Sequence, residues 1–113
     1  MAKFMLLLRG GEEQLRDYTP EQFQQMVQQY FEWSSHLSRE GRNHGGEELK
    51  PTGRVIHADN TVVDGPYVET KETVGGYYVI EAADYDEAVE VAKGCPILTY
   101  GGLVEIRAIN VYE

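Results

Sequence analysis

Residues 4–8 (Phe-Met-Leu-Leu-Leu) and 77–80 (Tyr-Tyr-Val-Ile) are apolar at every position. A strand sends alternate side chains to opposite faces of its sheet, so such runs leave neither face suited to water. Both faces of the sheet that holds them must therefore be covered. Only two stretches of the chain read as amphipathic helices, which is enough for one face. A length of 113 residues leaves room for a single core. Residues 1–113 are thus expected to form one domain that buries its second sheet face against another copy, as a homodimer.

The order of elements gives the fold class. The first apolar run ends at Gly10-Gly11 and reads as a strand. In Thr19-Pro20-Glu21-Gln22 the hydroxyl can cap a helix, the proline suits its first position and the glutamine closes a capping box. Phe23, Met26, Val27, Tyr30, Trp33, Ser34 and Leu37 then recur at three- and four-residue steps, predicting an amphipathic helix that Gly41 closes in the left-handed conformation. Beyond Gly41 helical period vanishes. Strands are expected at 44–49, 54–58, 61–63 and 67–72, separated by turns at 51–53, 59–60 and 64–66, before a strong strand at 75–81. Asp84 and Glu87 predict a second helix start, with Tyr85, Ala88, Val89 and Ala92 as its apolar face and Lys93-Gly94 as its stop. Residues 103–109 alternate, with Glu105 and Arg107 on one face and Val104, Ile106 and Ala108 on the other. Strand, helix, hairpin strands, helix, strand is the order of an α+β, ferredoxin-like protomer built from split β-α-β units.

Composition excludes several classes. A 42% hydrophobic content is too high for a disordered chain, and no apolar run approaches the roughly 18 residues of a membrane span. Ten basic against 19 acidic residues give a net charge of −9, which repels a phosphate backbone. Neither nucleic acid nor membrane is an expected partner. Cys95 is the only cysteine, so no intrachain disulfide can form, and a reducing compartment is expected. The run at 4–8 is shorter than the roughly 7–15 apolar residues of a signal peptide. The cytoplasm is therefore the expected location.

No phosphate-binding loop, nucleophile elbow, zinc-protease or CxxC motif is present, and no cofactor or metal is expected. His36, His44 and His57 are the only imidazoles. His36 falls beside the polar face of the first helix. His57 shares a strand face with Val55 and is a candidate base, as is Asp64 at the end of an apolar strand. His44 opens a glycine-flanked strand and is a candidate ligand contact. Glu105 and Arg107, two residues apart on one strand face, form a candidate polar pair. Cys95 follows a helix and lacks the electropositive setting that activates a thiol, so it is expected to be inert.

The stretch Val63-Asp64-Gly65-Pro66-Tyr67-Val68-Glu69-Thr70-Lys71-Glu72, followed by Gly75-Gly76-Tyr77-Tyr78-Val79-Ile80-Glu81, closely resembles the motif of the DGPF branch of the YciI-like (YCII-related) family. The likeness extends over almost the whole chain, through Arg9-Gly10, Thr19-Pro20-Glu21, residues 45–49 and residues 102–107. Tyr67 stands where the motif has phenylalanine, and it joins His44, Glu105 and Arg107 as a candidate ligand contact. The resemblance implies a dimeric α+β barrel of ferredoxin-like protomers. DGPF genes often lie beside genes for extracytoplasmic-function sigma factors. A related YciI-like dehydrochlorinase is thought to use a His at the start of the first helix and an Asp before a Pro after the second. Here those places hold Gln22 and Cys95, so the dyad is missing. Two readings follow. One is a non-catalytic module for a small ligand or regulation. The other is a lyase-like enzyme, dehydrochlorinase-like on a phenolic substrate, with His57 or Asp64 as base and Arg107 holding an anionic oxygen.

Overall fold

A computed structural model of the chain describes residues 1–11, 15–65 and 73–112. Four strands form one antiparallel sheet: β1 (Ala2–Gly10), β2 (Asn43–Glu48), β5 (Val74–Ala82) and β6 (Gly102–Ala108), in the order β2-β5-β1-β6. Strand β5 lies between β1 and β2, and β1 lies between β5 and β6, so two split β-α-β units interlock. The chain is a mixed α+β structure with an open sheet, consistent with a ferredoxin-like fold. Strands β3 (Gly53–Ile56) and β4 (Val62–Gly65) pair only with each other, as a separate hairpin. The strand expected at 67–72, with Pro66 and Tyr67, lies outside the described residues.

Helix α1 (Pro20–Arg39) starts as its local sequence dictates. The Thr19 hydroxyl accepts from the Gln22 amide at 3.2 Å, and the Gln22 side chain accepts from the Thr19 amide at 2.7 Å. Gly41 ends it at φ +73°. Helix α2 (Tyr85–Ala92) starts where Asp84 accepts from the Glu87 amide at 2.9 Å. Both helices pack on one sheet face. Phe4, Leu6 and Leu8 of β1 and Ile80 and Ala82 of β5 meet Leu37 of α1 and Ala88 and Ala92 of α2 there. Complete burial of a side chain such as Leu6 contributes about 1.5–3 kcal/mol. Cys95 leads into a 3-10 turn (Pro96–Tyr100), whose Ile97 joins the same core. No helix among the described residues is long and apolar enough to cross a membrane.

Several local expectations are corrected by tertiary packing. Phe23 and Val27 are largely exposed, because the helix presents a narrower stripe of Met26, Tyr30, Trp33, Ser34 and Leu37 to the sheet. In α2 Val91 turns inward while Val89 is exposed. Gly94 is not left-handed. A side chain there would bring Cβ within 2.8 Å of Trp33 Nε1, so glycine is required by close approach. Strand β3 stops at Ile56, which leaves His57 exposed beside a tight turn with Asn60 at φ +71°. Strand β4 runs on through Asp64 and Gly65, where a turn was expected.

Candidate functional site

The sheet face opposite the helices carries the second set of strand residues. The register sets Met5 beside Val79 and Arg107, and Leu7 beside Tyr77 and Glu105. Met5, Leu7, Tyr77 and Val79 are half-buried, and no described helix covers them. Two polar groups flank this apolar strip. On the β6 side, Glu105 accepts from Arg9 Nε at 3.0 Å and from Arg107 Nη1 at 3.5 Å. On the β2 side, His44 Nε2 lies 2.8 Å from Glu81 Oε1.

A local distortion re-aims His44 toward Glu81. Asn43 is opposite Ile80 while Gly46 is opposite Tyr78, so three steps on β2 match two on β5. This is a β-bulge, which turns the chain locally and redirects a side chain. Asn43 Oδ1 accepts from the Gly45 amide at 2.9 Å, and Gly45 takes φ +105°. Gly46 has no room for a Cβ, which would meet the Tyr77 carbonyl oxygen at 2.4 Å. The Gly45-Gly46 pair is thus accounted for by backbone geometry.

The candidates divide between two places. His44, Glu105 and Arg107 share the open sheet face, as do Arg9 and Glu81, which sequence reasoning did not single out. His57 and Asp64 lie on the separate hairpin. Asp64 is almost fully exposed and sits 3.4 Å from Arg54, its cross-strand neighbour. Tyr67 lies outside the described residues. The signal for Glu81 was available in the alternation of Tyr77, Val79 and Glu81, whereas the strand neighbours that give it meaning were not.

The helix side of the sheet holds a second cluster, of phenols around Cys95. Tyr78 and Ser34 share a hydroxyl hydrogen bond at 2.9 Å, and Tyr100 donates to Gln29 at 2.6 Å. Tyr18 lies edge-on to Tyr100, with ring centroids 5.8 Å apart. Burial pushes the Tyr30 hydroxyl well above the ordinary phenol range, with Cys95 and the other tyrosines adding to the effect. Burial likewise pushes the Cys95 thiol up to about 11, so it carries almost no thiolate at neutral pH. Tyr30, Tyr78, Tyr100 and Cys95 are thus protonated hydrogen-bonding and packing partners at neutral pH.

Between α1 and α2 an open cleft of about 350 Å³ is lined by Trp33, His36, Glu40, Arg42, Glu87 and Glu90 among others. Its carboxylates are already engaged. Arg42 binds Glu87 at 2.6 Å and approaches Glu40 at 3.7 Å, His36 lies 3.3 Å from Glu40, and Lys93 holds Glu90 at 2.9 Å. The Arg42 hydrogen bond is the main reason the Glu87 carboxyl lies below its usual range. This network ties the start of β2 to the start of α2.

Residues 2–112 match the YCII-related domain. An uncharacterised protein of Rhizobium meliloti (strain 1021) is 36% identical over 56 residues, which is 49% of this chain and 45% of that protein. The match therefore spans less than half the length of this curated relative. Since the domain match takes in nearly every residue of the sheet and both helices, the chain belongs to the YCII-related family.

Proposed function

We propose that the protein is a DGPF-type member of this family that acts as a homodimer in the cytoplasm and binds a small polar ligand without transforming it, as a binding or regulatory module. The observation that carries this reading is the use made of the two positions where dehydrochlorinase relatives keep a catalytic pair. Gln22 is spent on capping its own helix, hydrogen-bonded to Thr19. Cys95 is 2% exposed with its thiol protonated. Neither can take a proton from a substrate at neutral pH. What the chain does offer is an apolar strip rimmed by Arg9, Glu105 and Arg107 on one side and by His44 and Glu81 on the other. A few polar groups around an apolar floor suit recognition of a small anionic or phenolic molecule.

Thermal unfolding across a panel of small carboxylic acids and phenols tests this. A true ligand at 100 times its dissociation constant adds about 2.7 kcal/mol to stability, and its effect should vanish in Arg107→Ala while that variant keeps its fold. Absence of any shift across the panel, or turnover of a panel compound that Asp64→Asn or His57→Gln abolishes, overturns the reading.

A further inference from the structure

Two cations on the open sheet face are left without a close carboxylate by the chain's own pairing. Lys3 is level with Glu81 in the β1–β5 register, the arrangement of a cross-strand ion pair. Glu81 instead meets His44 at 2.8 Å, brought there by the bulge in β2. Lys3 has no ion pair among the described residues. Arg107 stands opposite Met5, the next residue of β1 on this face, so it is the diagonal neighbour of Lys3, about 7–8 Å away between backbones. Its guanidinium is largely exposed and meets Glu105 only at 3.5 Å, whereas Arg9 lies 3.0 Å from that carboxylate. His44 and Arg9 thus each occupy the carboxylate that would otherwise neutralise a neighbouring cation.

The apolar floor sets the size of what these cations can hold. Met5, Leu7, Tyr77 and Val79 form a two-by-two patch, one strand spacing of about 4.8 Å wide and two residues of about 6.8 Å long. This is the footprint of one flat aromatic ring. Lys3 borders the end of the patch and Arg107 its side, and both meet the Met5 corner. A planar anion placed there faces the arginine fork and the lysine point charge together. We propose that the ligand of the binding reading above, on which this inference rests, is a single-ring aromatic carboxylate. Its ring covers the four apolar side chains, its carboxylate sits between Lys3 and Arg107, and His44 is a positioning residue that keeps Glu81 away from Lys3.

Other ligand classes fit less well. A neutral aromatic molecule leaves both cations uncompensated, and a short aliphatic acid leaves the floor bare. A polyanion meets the carboxylates that rim the patch, Glu47 level with Tyr77, Glu105 level with Leu7, and Glu81, on a chain whose net charge is already −9.

Nuclear magnetic resonance titration with benzoate and phenylacetate tests this, with acetate and benzyl alcohol as controls and circular dichroism showing that each variant is folded. The parent should bind both aromatic carboxylates, and the controls at least about tenfold more weakly. Lys3→Ala and Arg107→Ala should each lose at least about tenfold in affinity. His44→Ala should also lose affinity, because Glu81 is released to pair with Lys3, and adding Glu81→Gln should restore it. A purely structural role for His44 gives no such rescue. Controls that bind as tightly as the aromatic carboxylates, an unaffected Lys3→Ala or His44→Ala, or a double variant that stays weak overturns the inference. If neither aromatic carboxylate binds while another small acid or phenol stabilises the parent through Arg107, this inference fails and the binding reading stands. If no compound binds, both fail.

Discussion

Arg42 Nη1 donates to Glu87 Oε1 at 2.6 Å and to the Glu81 carbonyl oxygen at 3.0 Å. One guanidinium thereby joins the start of β2, the end of β5 and the first turn of α2. Glu87 also accepts from the Ala83 amide at 3.2 Å, so its carboxylate serves both the arginine and the backbone ahead of its helix.

This relationship has a pH signature. The Glu87 carboxyl is lowered chiefly by the Arg42 hydrogen bond. A carboxylate lowered on folding contributes stability above its unfolded value, near 4.5, and loses that contribution as pH falls through its folded value. Thermal melts of Glu87→Gln should therefore lie below the parent at pH 7 and converge with it as pH falls from about 4.5 through the carboxyl's lowered folded value. A constant offset down to pH 2 would show that the carboxylate charge is not what stabilises.

Leu6 and Leu7 separate the two sheet faces. Leu6 is 0% exposed in the core, and Leu6→Ala should cost about 2–5 kcal/mol in urea unfolding. Leu7, half-buried on the open face, should lose less of the single chain's unfolding free energy on truncation to Ala than Leu6 does. Leu7→Asp should instead change the sedimentation of a folded chain. Equal losses for the two alanine variants would contradict the layered arrangement.

Gly94 and Gly41 test two different uses of glycine. Gly94→Ala places a methyl 2.8 Å from Trp33 Nε1 and should destabilise by about 1–3 kcal/mol through overpacking. Gly41 has open space around it but φ +73°, so Gly41→Ala should cost about 1–2 kcal/mol from backbone strain alone. Near-ultraviolet circular dichroism distinguishes them, because only the first should alter the tryptophan signal.

Cys95 predicts a loss of stability in alkali. Its thiol is raised from 9.0 to about 11, so the folded state keeps a proton that the unfolded state releases. Stability from this group is complete below pH 9 and falls away as pH rises to about 11. Cys95→Ala should flatten that decline, leaving the part due to Tyr30 and Tyr78, which are also raised. Alkylation of the native thiol at pH 8 should be at least about 100-fold slower than in urea. A rapid native reaction would contradict its burial.

Features that depend on a few adjacent residues were legible in the sequence. The Thr19–Gln22 capping box, the Asp84 cap and the Gly41 stop all depend on nearest neighbours, and all are present. The alternation of β6 placed Glu105 and Arg107 on one face because strand period alone decides that. Features that need tertiary partners were not legible. Nothing local distinguishes Gly94 as a contact for Trp33 from a left-handed stop. Nor does sequence reveal that Glu81 will face His44, since strand order and a bulge decide it. His57 was placed in a strand because the pattern from Arg54 onward alternates, but the Asp59-Asn60 turn begins a residue too early for it. There the Asp59 carboxylate accepts from the Thr61 amide at 2.9 Å.

The bulge at Asn43–Gly46 gives β2 a spare residue. Removing Gly45 would leave Asn43 level with Ile80 and Gly46 level with Tyr78, a perfectly regular ladder with every downstream side chain still on its present face. Such a deletion would be silent in the fold yet would straighten His44 toward Val79 and away from Glu81. The extra residue is thus a lever on one side chain's aim, adjustable by a change in chain length that leaves the architecture untouched.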